Sequence, residues 1–121
     1  RSALQVYLAN NIVSTNGGCG LVCNGAEYPQ ASNNDLWDNA SGNYDDCAIG
    51  IADISANPLL LDPAAGDFHL VFGSPCIDAG TSTDAPATDF DGIVRPQGAE
   101  VDIGAHEHGY WRIYLPLALR E

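Results

Sequence analysis

A short phrase recurs along the first half of the chain and limits what it can fold into. Asn10-Asn11-Ile12-Val13-Ser14-Thr15-Asn16 and Asn33-Asn34-Asp35-Leu36-Trp37-Asp38-Asn39 both read Asn-Asn-x-apolar-x-x-Asn, 23 residues apart. A further 23 residues on, Asn57-Pro58-Leu59-Leu60-Leu61-Asp62 keeps Asn, an apolar residue and Asn/Asp in step. The columns are Asn11/Asn34/Asn57, Val13/Leu36/Leu59 and Asn16/Asn39/Asp62. A period of about 20 to 25 residues is too short for a helix pair and matches one turn of a β-solenoid. In such a coil apolar side chains stack inward, while corner Asn residues tolerate left-handed backbone and pair with their copies. The expected fold is all-β: a right-handed parallel β-helix of about three short rungs over residues 1–80. A closing segment over 81–109 and a terminal strand or tail over 110–121 complete it.

The punctuation agrees with short elements. Thirteen Gly and seven Pro, with many Asn and Asp, leave little room for long helices. Strands are expected at Leu4–Leu8, Ile12-Val13, Leu21–Cys23, Leu36-Trp37, Ile49–Ile54, Leu59–Leu61 and Phe68–Phe72, with polar loops at 25–30 and 41–46. An unstacked first rung at Leu4–Leu8 would expose an edge, so self-association through it is expected.

Charge narrows the partners. Four Arg and no Lys stand against 16 Asp plus Glu, a net charge of −12. Such a surface repels phosphate backbones and anionic lipid, which argues against nucleic acid and acidic membranes as partners. No apolar run approaches the length of a membrane span. Four Cys and no Met suit an oxidising compartment, so an extracellular or cell-surface location is expected. Four cysteines allow three pairings. Cys23 and Cys47, 24 residues apart, are the preferred pair because they fall about one rung apart. The spacing overshoots the 23-residue step by one, which threatens to turn one side chain to the other face. Cys76, inside an apolar stretch, reads as a buried free thiol.

The second half carries a sequence of recognisable blocks. Asn57–Pro63 is followed by Gly66-Asp67-Phe68-His69-Leu70, then Gly73-Ser74-Pro75-Cys76-Ile77-Asp78-Ala79-Gly80. Asp89-Phe90-Asp91-Gly92-Ile93-Val94-Arg95-Pro96 and Val101-Asp102-Ile103-Gly104-Ala105-His106-Glu107 come last. Their order closely resembles the C-terminal end of bacterial right-handed parallel β-helix surface proteins of the choice-of-anchor type, over about residues 8 to 109. The resemblance implies that fold, a surface or secreted location, and adhesive or carbohydrate-rich settings. It implies no single reaction, since the fold carries lyases, hydrolases, adhesins and stalks alike.

Several constellations are candidate sites. Asp89, Asp91, Asp102 and Glu107 form an acidic set, and Asp89-Phe90-Asp91-Gly92 has the alternating carboxylates and turn Gly of an oxygen-rich calcium loop. The alternative is that Arg95, the sole basic residue between Arg1 and Arg112, is buried and neutralised by Asp91, Asp102 or Glu107, with Arg95–Asp102 the ion pair expected to lock the closing segment. His106 and His108, two apart on one strand face, and His69 form a candidate zinc set. Asp35, Asp38, Asp45 and Asp46 could be read as hydrolase carboxylates, but no basic residue accompanies them. Tyr28 and Tyr44, in polar loops, are candidate sugar contacts. Asn39-Ala40-Ser41 is a formal glycosylation sequon.

These readings together predict a non-catalytic surface or secreted module with a structural, adhesive or glycan-contacting role. A carbohydrate or cell-surface polymer is its expected partner and Ca²⁺ its candidate cofactor. The chain is expected to be the C-terminal part of a longer protein. The alternative is the C-terminal portion of a polysaccharide lyase or glycoside hydrolase whose groove lies upstream.

Overall fold

The computed structural model describes residues 6–24 and 30–109. Tyr28 and the 110–121 tail lie outside the described residues. Eight short strands alternate with turns: β1 (Tyr7–Ala9), β2 (Ile12–Ser14), β3 (Leu21–Val22), β4 (Gln30–Ser32), β5 (Asp35–Trp37), β6 (Tyr44–Asp45), β7 (Leu60–Asp62) and β8 (Asp67–Leu70). A 3-10 turn, Pro63–Ala65, joins β7 to β8.

The repeat is visible as pairing register. β1 pairs with β4, β2 with β5 and β3 with β6, all parallel, through Leu8↔Ala31, Val13↔Leu36 and Leu21↔Tyr44. Every one of these pairs is offset by 23 residues. The corners repeat as well. Asn10 (φ 62°) and Asn33 (φ 57°) take the left-handed backbone at one corner, and Thr15 (φ 55°) and Asp38 (φ 55°) take it at the next. Asn and Asp accept this conformation more readily than Thr, because their short polar side chains bond locally. Asn11 Nδ2 donates to Asn34 Oδ1 (3.1 Å), and Asn16 Nδ2 donates to Asn39 Oδ1 (2.8 Å). Two of the three expected columns therefore carry amide pairs between their first two copies.

The third copy does not follow, and the expected right-handed parallel β-helix is overturned. The strands form four separate two-stranded sheets, with no continuous or closed coil among the described residues. Beyond β4 and β5 the step shortens to 19 residues, with only isolated bridges at Ser32↔Ile51 and Asp35↔Ile54. Asp53 Oδ1 therefore takes the place expected of Asn57, accepting from Asn34 Nδ2 (3.1 Å). Asn43 Oδ1 takes the place of Asp62, accepting from Asn39 Nδ2 (2.8 Å). Leu59–Leu61 is turned away from the stack, and β7 pairs antiparallel with β8 through Leu60↔Leu70. Pro58 and Pro63 flank this stretch and have no N–H to give a third parallel ladder.

One core cluster of Leu70, Cys76 and Ile103 joins the hairpin strand to the closing segment, with Ile12, Ile54 and Leu60 packed against it. Its closure depends on close backbone approach. Gly80 N–H donates to Val101 O (2.8 Å), and a Cβ at Gly80 would lie 2.7 Å from Asn10 Oδ1 and 2.9 Å from Val101 O. Gly104 N–H donates to Asn10 O (2.8 Å), which ties the closing segment to the first corner. Among the described residues no helix is long and apolar enough to cross a membrane.

Candidate functional site

The closing segment brings most of the acidic residues singled out above into one region, but divides their work. The Arg95 side chain is only 7% exposed, and its Nη1 donates to Glu107 Oε2 at 2.7 Å, with the Glu107 side chain wholly buried. The same guanidinium donates to the backbone carbonyls of Asp102 (3.3 Å) and Gly104 (3.1 Å). The expected Arg95–Asp102 ion pair is therefore corrected. Arg95 reaches Asp102 only through its carbonyl, and its ionic partner is Glu107. Asp102 instead receives the Asp78 N–H on Oδ1 (2.8 Å) and the His108 N–H on Oδ2 (2.6 Å). Burial pushes the Asp102 carboxyl above its ordinary range, against the pull of these two amides. Glu107 is raised for the same reason, despite its amide donors and Arg95. Glu107 accepts from Arg95, the Asp102 amide and the Gln97 amide, donors that suit an ionised carboxylate.

The carboxylates expected to surround a calcium ion do not form an oxygen cage. Asp89 Oδ1 accepts the amides of Asp91 and Ile93 (both 2.8 Å), and Asp89 Oδ2 accepts the Glu107 amide (2.7 Å). Asp89 thus builds the turn that presents Asp91 and anchors the segment carrying His106 and Glu107. Asp102 and Glu107 are occupied as described, and Asp91 alone turns outward, toward histidine. The separation follows from competition: a buried amide left without an acceptor costs about 1–3 kcal/mol, so each inward carboxylate is held by backbone donors.

Asp91 lies between two imidazoles. Its Oδ2 is 2.5 Å from His69 Nε2 and 3.1 Å from His106 Nδ1. His69 comes from β8 and its Nδ1 is 2.5 Å from Asp67 Oδ1, two residues back on the same strand. The His69 and His106 rings stack with centroids 3.7 Å apart, and the Phe90 ring meets His106 edge-on at 5.7 Å. Partial burial works against the charged form of His69, but hydrogen bonds to Asp67 and Asp91 outweigh it and raise its pKa. Asp67 and Asp91 are lowered, in each case chiefly by the hydrogen bond with His69. His108, expected on the same face as His106, is instead near Phe72, with ring centroids 6.4 Å apart. Sequence reading named His69 and His106 as ligand candidates. It missed Asp91 as their shared acceptor and Asp67 as the group behind His69; the Asp67-x-His69 alternation on one strand face was the available signal.

Elsewhere, Cys23 and Cys47 form a disulfide. Val22↔Asp45 keeps the 23-residue register, and the extra residue is absorbed at Asp46, whose left-handed backbone (φ 58°) swings Cys47 beside Cys23. Cys76 is buried as a free thiol, 3.2 Å from Asp35 Oδ2. Burial, and then the neighbouring Asp35, push this thiol far above its ordinary pKa, which makes it a poor nucleophile. Asp35 is itself fully buried and accepts the Ala56 amide, so it cannot join Asp38, Asp45 and Asp46 on a catalytic groove. Tyr44 Oη donates to Asp53 Oδ2 (2.7 Å), which commits the hydroxyl offered as a sugar contact. Asn39 is buried and its Nδ2 donates to Val13 O (3.0 Å), so the sequon nitrogen is engaged inside the fold.

An open groove of about 850 Å³ runs beside β1 and β4, lined by Tyr7, Gln30, Ser32, Thr83, Asp84 and Arg95 among others. Tyr7 is 63% exposed there, more than any other aromatic residue that offers a hydroxyl beside a ring among those described. Comparison of the chain with known protein families, with curated proteins and with solved structures finds no match.

Proposed function

We propose that this chain is an extracellular or cell-surface structural module that contacts carbohydrate and performs no chemistry on it. The observation that carries the reading is the Arg95–Glu107 lock, with Asp89 and Asp102 held by backbone amides around it. Asp89, Asp102 and Glu107 thereby serve as the closing segment's internal mortar. The Cys23–Cys47 bridge supports an oxidising compartment. The block order from Asn57 to Glu107 supports kinship with the C-terminal ends of choice-of-anchor surface proteins.

The groove beside Tyr7 supplies the contact. An exposed ring gives the C–H face of a sugar an apolar platform, while Gln30, Ser32 and Thr83 offer hydrogen bonds. The net charge of −12 favours a neutral glycan over an anionic one. Binding to an array of neutral and acidic oligosaccharides tests this, with Tyr7→Ala as control. Neutral glycans should be retained and Tyr7→Ala should weaken them about tenfold, equivalent to roughly 1.4 kcal/mol. Release of shortened or unsaturated products from any polysaccharide would overturn the non-catalytic reading.

A further inference from the structure

We infer that His69, Asp91 and His106 form a binding site for a divalent transition-metal ion of the zinc type, stapling the β7–β8 hairpin to the closing segment. The ligand atoms of the three side chains all lie within 4.8 Å of one another. Tetrahedral zinc with bonds of about 2.0–2.2 Å sets its ligands roughly 3.3–3.6 Å apart. The two Asp91–histidine separations, 2.5 and 3.1 Å, fall short of that spacing, so the cluster must open to admit an ion. Asp91 Oδ2 moves away from His69 Nε2, now 2.5 Å distant, and the two stacked rings splay.

Three features favour a metal over a plain hydrogen-bond cluster. The first is the carboxylate behind His69. Asp67 Oδ1, 2.5 Å from Nδ1, holds a proton on that nitrogen and aims the Nε2 lone pair at the site. Metal-bound histidines are ordinarily supported in this way. The second is the donor set. Two imidazoles and one carboxylate suit zinc and its neighbours, whereas calcium takes six to eight oxygens. The third is access combined with anchoring. The His69 and Asp91 side chains are each 32% exposed, so an ion can enter and keep a water as fourth ligand. His106 is only 8% exposed, and Asp89 holds the backbone of the next residue. The ligands come from positions 69, 91 and 106, so metal binding would cross-link elements distant in sequence. This site is separate from the Tyr7 groove, and neither reading depends on the other.

The test is zinc titration of the tag-free full chain by calorimetry, with thermal melts in zinc, in calcium and in chelator. One zinc per chain should bind, and zinc but not calcium should raise the melting temperature. Cobalt should give the visible absorption of a four-coordinate ion. His69→Ala and Asp91→Asn, both at partly exposed positions, should each lower zinc affinity at least tenfold and abolish the thermal shift. Asp67→Asn, which alters only a positioning residue, should weaken zinc by about 10- to 100-fold while circular dichroism stays unchanged. Absence of zinc binding would overturn the inference. Binding that survives both His69→Ala and Asp91→Asn would also overturn it, by placing the ion elsewhere.

Discussion

Replacing Arg95 by Met tests whether the closing segment is held by a buried charge pair. The substitution keeps much of the apolar stem volume and removes three donor contacts, to Glu107 Oε2 (2.7 Å), Asp102 O (3.3 Å) and Gly104 O (3.1 Å). It leaves a wholly buried Glu107 carboxylate with backbone donors and no counter-charge. Breaking one side of a buried pair costs about 3–5 kcal/mol. Against a total of about 5–15 kcal/mol for a folded domain, that is a large share. At roughly 3–5 °C per kcal/mol for a chain of this size, the midpoint should fall by about 10–20 °C. Urea denaturation followed by circular dichroism measures the loss directly, provided that the transition is two-state and the disulfide is intact. The double variant Arg95→Met/Glu107→Gln decides the mechanism. Gln still offers an acceptor to the Asp102 amide but carries no charge, so the double variant should regain at least about 1 kcal/mol over Arg95→Met alone. The loss should also change little between low and high salt, because neither partner is open to screening ions. A cost below about 1 kcal/mol for Arg95→Met, or strict additivity in the double variant, would refute the reasoning.

Protonation and thiol chemistry give further tests. Asp35 and Asp102 are raised by burial above their ordinary value of 3.8, so the native state binds protons more readily than the unfolded chain. Stability should therefore rise as pH falls from neutrality through their native values toward that ordinary value. The high negative charge acts in the same direction. Melts across that range should show the rise, and Asp35→Asn should flatten it; a midpoint that falls steadily on acidification contradicts the assignment. The Cys23–Cys47 bridge closes a loop with a sequence separation of 24, so Cys23→Ser/Cys47→Ser should cost about 3.5 kcal/mol. Alkylation of the unreduced native protein should label Cys19 and spare buried Cys76; label on Cys23 would show that the bridge is absent.

The histidine cluster shows where local reading stopped. His69 and His106 were recognisable as zinc-ligand candidates and Asp91 as a carboxylate of a calcium loop or a counter-ion of Arg95, which placed them in different sites. Their meeting depends on β8 folding back along β7 and on the 89–92 turn lying over it, and neither is a local property. The acidic set expected around calcium divides for a related reason. Alternating Asp residues before a Gly mark a tight turn whether the oxygens face a cation or the turn's own amides. In Asp89 the amides of Asp91 and Ile93 take them. For Arg95, sequence showed that a counter-ion was needed, since it lies alone among many carboxylates. Choosing Glu107 over Asp102 required knowing which side chain faces the guanidinium.

The sequence by itself determined the 23-residue step and the first two members of the Asn columns. These follow from chemistry repeated in the chain: an Asn amide offers both a donor and an acceptor to its copy 23 residues away. Cys23–Cys47 was foreseeable from the same step. Only the tertiary structure decided that the third copy leaves the stack. There the step shortens to 19 and Asp53 completes one column, while Asn39 turns to Asn43 four residues on and Leu60 pairs with Leu70 instead. The physical reason is that a repeat specifies register only while successive turns have equal length. Once the chain between them shortens and prolines remove ladder donors, burial of Leu60, Leu70, Cys76 and Ile103 in one cluster dictates the path.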